Sequence, residues 1–189
     1  MQKILSLVLI VLLVTIVGCK KDSSSPTNPN TPASNLFGSG SLSFTADSLG
    51  TFSFSGSWTG ASVGSSGTAV EALTGRSSTD YAAIIIAYRW HSSTNWDNAV
   101  LGLTTANPIT TGTYTTSNGL TFYFTKGGTS AGGNSSNMFI LTSGSCQVTS
   151  YSSSGMKGTI SGTAIRATDQ ATVTITNASF DVTFGTQTM

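Results

Sequence analysis

The stretch "ATVTITNASFDVTF", residues 171–184, alternates apolar and polar side chains with a period of two. This alternation is typical of a β-strand that packs one face against a core. The apolar positions change parity between Ile175 and Phe180, so one extra residue must lie between them if both face the same core. We therefore predict a bulged strand, with the bulge at Asn177–Ala178.

The segment before it, "MKGTISGTAIRA" at 156–167, has the same alternation. Here Ile160 and Ile165 differ in parity around Gly162, which predicts a second bulge if both isoleucines face the core. A short polar turn joins the two segments. Together they predict a long, bulged hairpin at the C-terminal end of the chain.

The period of two extends back to residue 36, through "SLSFTAD" at 41–47 and "TFSFSGSW" at 51–58. Only "TAVEAL" at 68–73 could also form a helical turn. Further strand candidates are 67–73, 81–90, 97–104, 109–115, 119–125, 137–142, 145–151 and 156–167. About ten short strands with short connections predict an all-β fold, either an antiparallel β-sandwich or an open barrel.

The segment "YAAIIIAYRW" at 81–90 is apolar on both of its faces. A strand with one face in water would carry polar side chains on that face. We therefore expect this segment to be a central strand that is covered on both sides.

The N-terminus has the pattern of an export signal. Lys3 supplies a positive charge, and Ile4–Val17 is a 14-residue apolar stretch interrupted only by Ser6 and Thr15. This stretch is shorter than the roughly 20 residues that a membrane-spanning helix needs. It ends in Ile16-Val17-Gly18-Cys19, which resembles the bacterial lipobox. An ordinary secretory signal with an accidental cysteine is the alternative.

The lipobox resemblance implies a signal peptide at 1–18 and a lipid on the thiol of Cys19, with acylation of the new amine. Residues 19–35 then form a lipid-anchored tether that is rich in Pro, Ser and Asn, with prolines at 26, 29 and 32. That spacing favours polyproline II. The β-domain occupies 36–189. With Cys19 lipidated, Cys146 has no partner for an internal disulfide, and we expect it to be a small buried apolar residue.

Several segments carry a resemblance to small bacterial lipoproteins of uncharacterised function. They are "GSLSFTAD" at 40–47, Gly-Thr-Tyr at 112–114, "SGSCQVTSY" at 143–151, "MKGTISGTAIRA" at 156–167 and "VTITNASFDVTF" at 173–184. The chain departs from that group at Ile160, where Phe is usual, and at Ala178, where Gly is usual. The resemblance implies an outer-membrane lipoprotein, and the Lys-Lys-Asp that follows Cys19 favours the cell surface over the periplasmic face.

Composition and motifs give little support for an enzyme. The chain has 8 basic and 7 acidic residues, so no electrostatic feature points to a nucleic-acid partner. Gly-x-Ser-x-Gly occurs twice, around Ser62 and Ser130, but no helical pattern follows either one. A serine hydrolase with His91 as its base is the less favoured alternative. We expect a non-enzymatic protein without a cofactor or a catalytic metal.

The densest group of candidate binding residues is "YRWHSSTNWDN" at 88–98. Its members are Trp90, His91, Asn95, Trp96 and Asp97. Exposed tryptophans beside Asn and Asp could stack on sugars and bind their hydroxyls, which predicts a glycan-binding or adhesion module. A structural calcium at Asn95 and Asp97 is a second option. The competing interpretation is a structural surface protein in which Trp90 faces the core with Ile84 and Ile86, and Trp96 caps an edge. The expected partners are the membrane, through the lipid, and a carbohydrate or a surface protein.

Overall fold

The computed structural model describes residues 37–58, 67–92, 94–128 and 137–185, all of which belong to one compact unit, Ser34–Met189. Within these ranges the elements are ten β-strands, which confirms the all-β prediction. Their bounds are β1 Ser39–Ala46, β2 Gly50–Ser57, β3 Gly67–Arg76, β4 Tyr81–Ser92, β5 Asn95–Thr105, β6 Gly112–Thr115, β7 Leu120–Gly128, β8 Met138–Ser152, β9 Gly155–Arg166 and β10 Thr172–Thr183. The predicted signal peptide, Cys19 and the tether lie outside the described residues, as do Ser62 and Ser130.

The strands form one antiparallel sheet in the order β2-β1-β10-β9-β8-β7-β5-β4-β3. The sheet curls until its two edge strands, β2 and β3, lie side by side, so the fold is a nearly closed barrel and not a two-layer sandwich. Nine strands alternate in direction along this path, and therefore the first and the last point the same way. The barrel closes between two parallel strands.

Isolated hydrogen bonds join the edge of β3 to β2 and to the residues just outside β1 and β10. The Thr68 hydroxyl donates to the Ser55 carbonyl at 2.8 Å. Near the middle of β3, the Ala72 amide donates to the Phe37 carbonyl at 2.7 Å, and the Gly185 amide donates to the Ala72 carbonyl at 2.9 Å. The residues just outside β1 and β10 thus cover part of the β3 edge that would otherwise be free to pair with another chain.

Strand β8 is one long strand, although the sequence predicted two segments, 137–142 and 145–151. The prediction was wrong because the parity change between them is a bulge within one strand, where the register to β9 shifts between Leu141 and Ser143. The first part of β8 pairs with β7, and the later part pairs with the short β6. Strands β6 and β7 therefore occupy the same place in the sheet, one after the other.

The predicted C-terminal hairpin and its bulge are confirmed in β9 and β10. The register shifts between Ile175 and Ala178, and Asn177 adopts a left-handed φ of 49°. Asn tolerates this conformation better than most residues do. Ala178 is buried at 4% exposure, and so the extra residue comes just before it.

The second predicted bulge, around Gly162, is wrong. Ile160 and Ala164 are buried while Ile165 is half-buried, and so the inward positions of β9 stay even throughout. A Cβ on Gly162 would lie 2.2 Å from the Ser143 carbonyl oxygen, which shows how closely β8 approaches at this point. The register adjustment occurs on β8, and β9 continues without an extra residue.

Large side chains fill the barrel interior. Phe44 contacts four other rings, with centroid distances of 4.7 to 6.4 Å. These are Phe52, Phe54, Phe122 and Phe124. Cys146 is also buried in this core, as predicted, and burial raises the pKa of its thiol to about 12. The interior is therefore packed with protein and not hollow.

Strand β4 is the predicted central strand, and it lies between β3 and β5. Its interior residues Ala83, Ile85 and Ala87 belong to the barrel core. Its outward residues Ile84 and Ile86 are also buried, at 3% and 7% exposure. The segment 68–73 belongs to strand β3 and forms no helical turn.

Candidate functional site

The β4–β5 hairpin carries all five residues that the sequence singled out, but strand alternation divides them. His91, Asn95 and Asp97 line a cavity at one end of the barrel. Trp90 and Trp96 are cross-strand partners on the opposite, outward face of the same hairpin. The residues that could stack on a sugar and the polar residues that could bind its hydroxyls therefore do not share a surface.

Asp97 is the centre of the polar group. Its side chain is 3% exposed. Its Oδ2 accepts hydrogen bonds from Arg89 Nε at 3.0 Å and Arg89 Nη2 at 2.5 Å, and lies 2.9 Å from His91 Nε2. Its Oδ1 accepts from the Gly127 amide at 2.9 Å. Both carboxylate oxygens thus have protein partners, which would compete with a calcium ion.

This environment favours the charged form of Asp97. Burial by itself would raise the pKa of the carboxyl group, but the Gly127 amide, Arg89 and His91 outweigh it and hold the pKa below its usual value. The Arg89 guanidinium also lies 5.8 Å from the ring centroid of Phe52 and 5.9 Å from that of Phe54. The ion pair therefore forms the boundary between the apolar core and the open end of the barrel.

Two cavities open at this end, with volumes of about 420 Å³ and about 270 Å³, and Lys126 lines both. The larger one is lined by Arg89, His91, Asn95, Asp97, Lys126 and Gly127. The smaller one is lined by Leu49, Lys126, Asn137, Phe139 and Arg166. The Lys126 ammonium donates to the Leu49 carbonyl at 2.6 Å, which positions the side chain between the two cavities.

Arg166 supplies a further cation to the smaller cavity. Its guanidinium carbon lies 5.3 Å from the Phe139 ring centroid. Its Nε is 3.4 Å from Asp169 Oδ1, which is ion-pair range, but that nitrogen is buried and forms no hydrogen bond. Sequence reasoning missed Lys126 and Arg166. The signal that the sequence offered was the parity of their positions. Each residue has the same parity as the inward-facing apolar residues of its strand and lies two positions beyond the last of them.

The outward face of the hairpin carries an aromatic cluster. The rings of Trp58, Tyr88 and Trp90 have centroid distances of 5.4 to 5.6 Å. Trp90 is 7% exposed and shares this face with Ile84. Trp96 is half-buried, with its ring against the backbone of Gly128. Trp90 is thus buried on the outward face of the strand that also carries Ile84, and the competing interpretation was wrong in placing Trp90 in the core.

Comparisons with protein-family models, curated proteins and solved structures found no match. The part of the chain that the structure describes contains no group of three or more His, Cys, Asp or Glu that could hold a metal ion. Within the same ranges, no helix is long and apolar enough to cross a membrane.

Proposed function

We propose that this protein is a lipid-anchored, non-enzymatic binding module of the bacterial outer membrane, displayed at the cell surface. The lipobox-like Ile16-Val17-Gly18-Cys19 and the proline-spaced tether support the anchor and the export. The lipid is attached to Cys19, the cysteine of the lipobox-like motif. Two or more acyl chains at this site are enough for stable membrane binding. The small lipoproteins that the sequence resembles support the same cellular location.

The main support for a binding role is the contrast between the filled interior of the barrel and its open end. The interior is filled by phenylalanines, so it has no room for a ligand. One end is open and lined by charged and amide side chains around the buried Asp97. A ligand pocket is typically concave with a few polar groups that point into it, and this end of the barrel has that character.

The path of the chain through β1 shows which end of the barrel holds the cavities. Strand β1 runs from Ser39, which pairs with Thr183, to Ala46, which pairs with Ile175. Leu49, which lines the smaller cavity, follows directly after the Ala46 end. Because Phe37, the first described residue, precedes the Ser39 end of β1, the cavities open at the end of the barrel that is farther from Phe37.

The alternative is a glycan-binding or adhesion module that uses Trp90 and Trp96. Cross-strand pairing brings these two residues together. Trp90, however, offers 7% of its surface, which leaves little ring area for a sugar to stack on. We therefore place the binding site at the cavities. Loss of carbohydrate binding in Trp96→Ala, with binding unchanged in Asn95→Trp, would favour the alternative.

The anchor is tested by growing cells with an alkyne-labelled palmitate. We expect the wild-type protein and Cys146→Ala to incorporate the label, and Cys19→Ala to remain unlabelled. Protease treatment of intact cells should then degrade the wild-type domain. Labelling of Cys19→Ala would contradict the anchor, and full protection from protease would contradict the surface location.

The binding site is tested with an array of glycans and small metabolites, probed with the full-length protein in detergent micelles. In Asn95→Trp, a large side chain fills the mouth of the larger cavity. The matched control, Thr159→Trp, places the same side chain at an exposed position on β9. We expect at least one compound to bind the wild type and Thr159→Trp but not Asn95→Trp. A compound that binds all three equally, or an array without a binder, would contradict this function.

A further inference from the structure

The positive charges of the domain are concentrated at the cavities. Between residues 37 and 185 the chain has five Lys and Arg and six Asp and Glu. Three of the five cations line the two cavities, namely Arg89, Lys126 and Arg166, whereas of the six acidic residues in this range only Asp97 does so. We propose that this end of the barrel binds an anionic group, a carboxylate or a phosphate, on its ligand. The proposal rests on the binding function above.

Asp97 does not neutralise this group of cations. Its charge is matched by the Arg89 guanidinium, with His91 and the Gly127 amide as further partners. Within the described residues, Lys126 forms no ion pair. Arg166 is paired with Asp169, whose side chain is 55% exposed, so solvent screens much of that interaction. An excess of positive charge therefore faces the cavities.

The cations also have hydrogen bonds left to donate. The Lys126 ammonium has three N–H donors, and the Leu49 carbonyl takes one of them. The Arg166 guanidinium lines the smaller cavity, and an anionic oxygen is the acceptor that forms the strongest hydrogen bonds with a guanidinium. The Asn95 and Asn137 amides, one in each cavity, can bind further polar groups of the ligand.

We would test this by titrating the full-length protein in detergent micelles with three probes in a calorimeter. The probes are trigalacturonate, its uncharged methyl ester and inorganic phosphate. The protein variants are Lys126→Ala combined with Arg166→Ala, the charge-conserving pair Lys126→Arg and Arg166→Lys, and Lys157→Ala as the control. Lys157 is a cation of β9 that pairs with Asp181 and lines neither cavity. Circular dichroism would establish that each variant is folded.

We expect at least one anionic probe to bind at least tenfold more tightly than the methyl ester. The double alanine variant should weaken this binding at least tenfold, the charge-conserving pair should restore most of it, and Lys157→Ala should stay within twofold of the wild type. Binding of trigalacturonate alone identifies a carboxylate on a sugar, and binding of phosphate alone identifies a phosphate group.

Three results would overturn the inference. They are equal affinity for the ester and the acid, an equal loss of binding in Lys157→Ala, and no binding of either anion. A failure of the anion preference alone can be distinguished from a failure of the binding function. If the ester binds as well as the acid and Asn95→Trp abolishes both, the cavities remain a binding site and only the preference for anions is wrong.

Discussion

At the scale of single residues, the sequence identified Asp97 as important but could not give its role. "NWDN" is compatible with sugar binding, with calcium binding or with a structural ion pair. The role depends on Arg89 of the neighbouring strand and on the Gly127 amide, which is 30 residues away in the chain. Contacts of that kind follow from strand pairing, which local sequence patterns do not specify.

Asp97→Asn should destabilise the protein by about 2 kcal/mol at pH 7, because it leaves the partly buried Arg89 guanidinium without its counter-ion. The pKa of Asp97 is lower in the folded than in the unfolded state, where it is about 3.9. The stabilisation is therefore complete above about pH 4 and disappears as the pH falls through the lower, folded-state pKa. Urea unfolding of both proteins at pH 7 and pH 3 measures this, and a difference that is independent of pH would contradict it.

Glu71 should give the opposite pH dependence. It is buried on the outward face of β3, and burial raises its pKa to about 7. The folded-state pKa of Glu71 lies above the unfolded one. The contribution of Glu71 to the free energy of unfolding is therefore complete below about pH 4.5 and is lost as the pH rises through 7. The wild type should lose on the order of 2–3 kcal/mol between pH 5 and pH 8 relative to Glu71→Gln.

Urea unfolding curves of the wild type, Glu71→Gln and Asp181→Asn across that pH range test the prediction. Asp181 is an exposed carboxylate in a surface ion pair. The free energy of unfolding of Asp181→Asn should therefore change with pH as that of the wild type does. Parallel pH profiles for the wild type and Glu71→Gln would show that Glu71 is not the source of the effect.

At the scale of elements, alternation identified the strands well, and parity located the β10 bulge to within one residue. It failed at Gly162, because parity assumes that both isoleucines are in the core, and Ile165 is half-buried. In the lipoproteins that the sequence resembles, Gly is usual at the position of Ala178, but here the residue with positive φ is Asn177. The substitution therefore leaves the bulge intact.

The left-handed conformation of Asn177 gives a direct test of the bulge. Asn177→Gly should match the wild type in stability or exceed it by a few tenths of a kcal/mol, because Gly adopts this φ without steric strain. Asn177→Val should lose about 1–2 kcal/mol, because a β-branched residue is strained at positive φ. The control is Thr174→Val, an exposed residue of the same strand. Thermal unfolding measures all three, and equal stability of the Gly and Val variants would rule out the conformation.

At the scale of the whole molecule, composition and strand number predicted an all-β protein but left sandwich and barrel open. The choice depends on which strands are neighbours, and β1 pairs with β10 from the other end of the chain. Ser39 and Thr183, which share a hydrogen bond of 2.9 Å, are 144 residues apart. The repeating pattern within each strand is the same in both architectures, and only long-range pairing distinguishes them.

The packed interior predicts a large effect at Phe44. Phe44→Ala should cost about 3–5 kcal/mol, because it removes a ring that contacts four others and leaves a cavity. Ile140→Ala is the control, since Ile140 is 38% exposed and should change stability by less than about 1 kcal/mol. Denaturant unfolding measures both, and a Phe44→Ala loss no larger than that of the control would contradict a filled barrel.

The path of the chain through the barrel also has a mechanical consequence. Strand β1 is hydrogen-bonded along its length to both β2 and β10, and the chain enters it at the end opposite to the cavities. If the proposed lipid anchor holds the N-terminus while a ligand at the proposed site is pulled away from the cell, the force acts along β1. Both hydrogen-bond ladders then bear the load in shear, and their bonds must break together and not one after another. A domain held in this way would resist mechanical unfolding by flow.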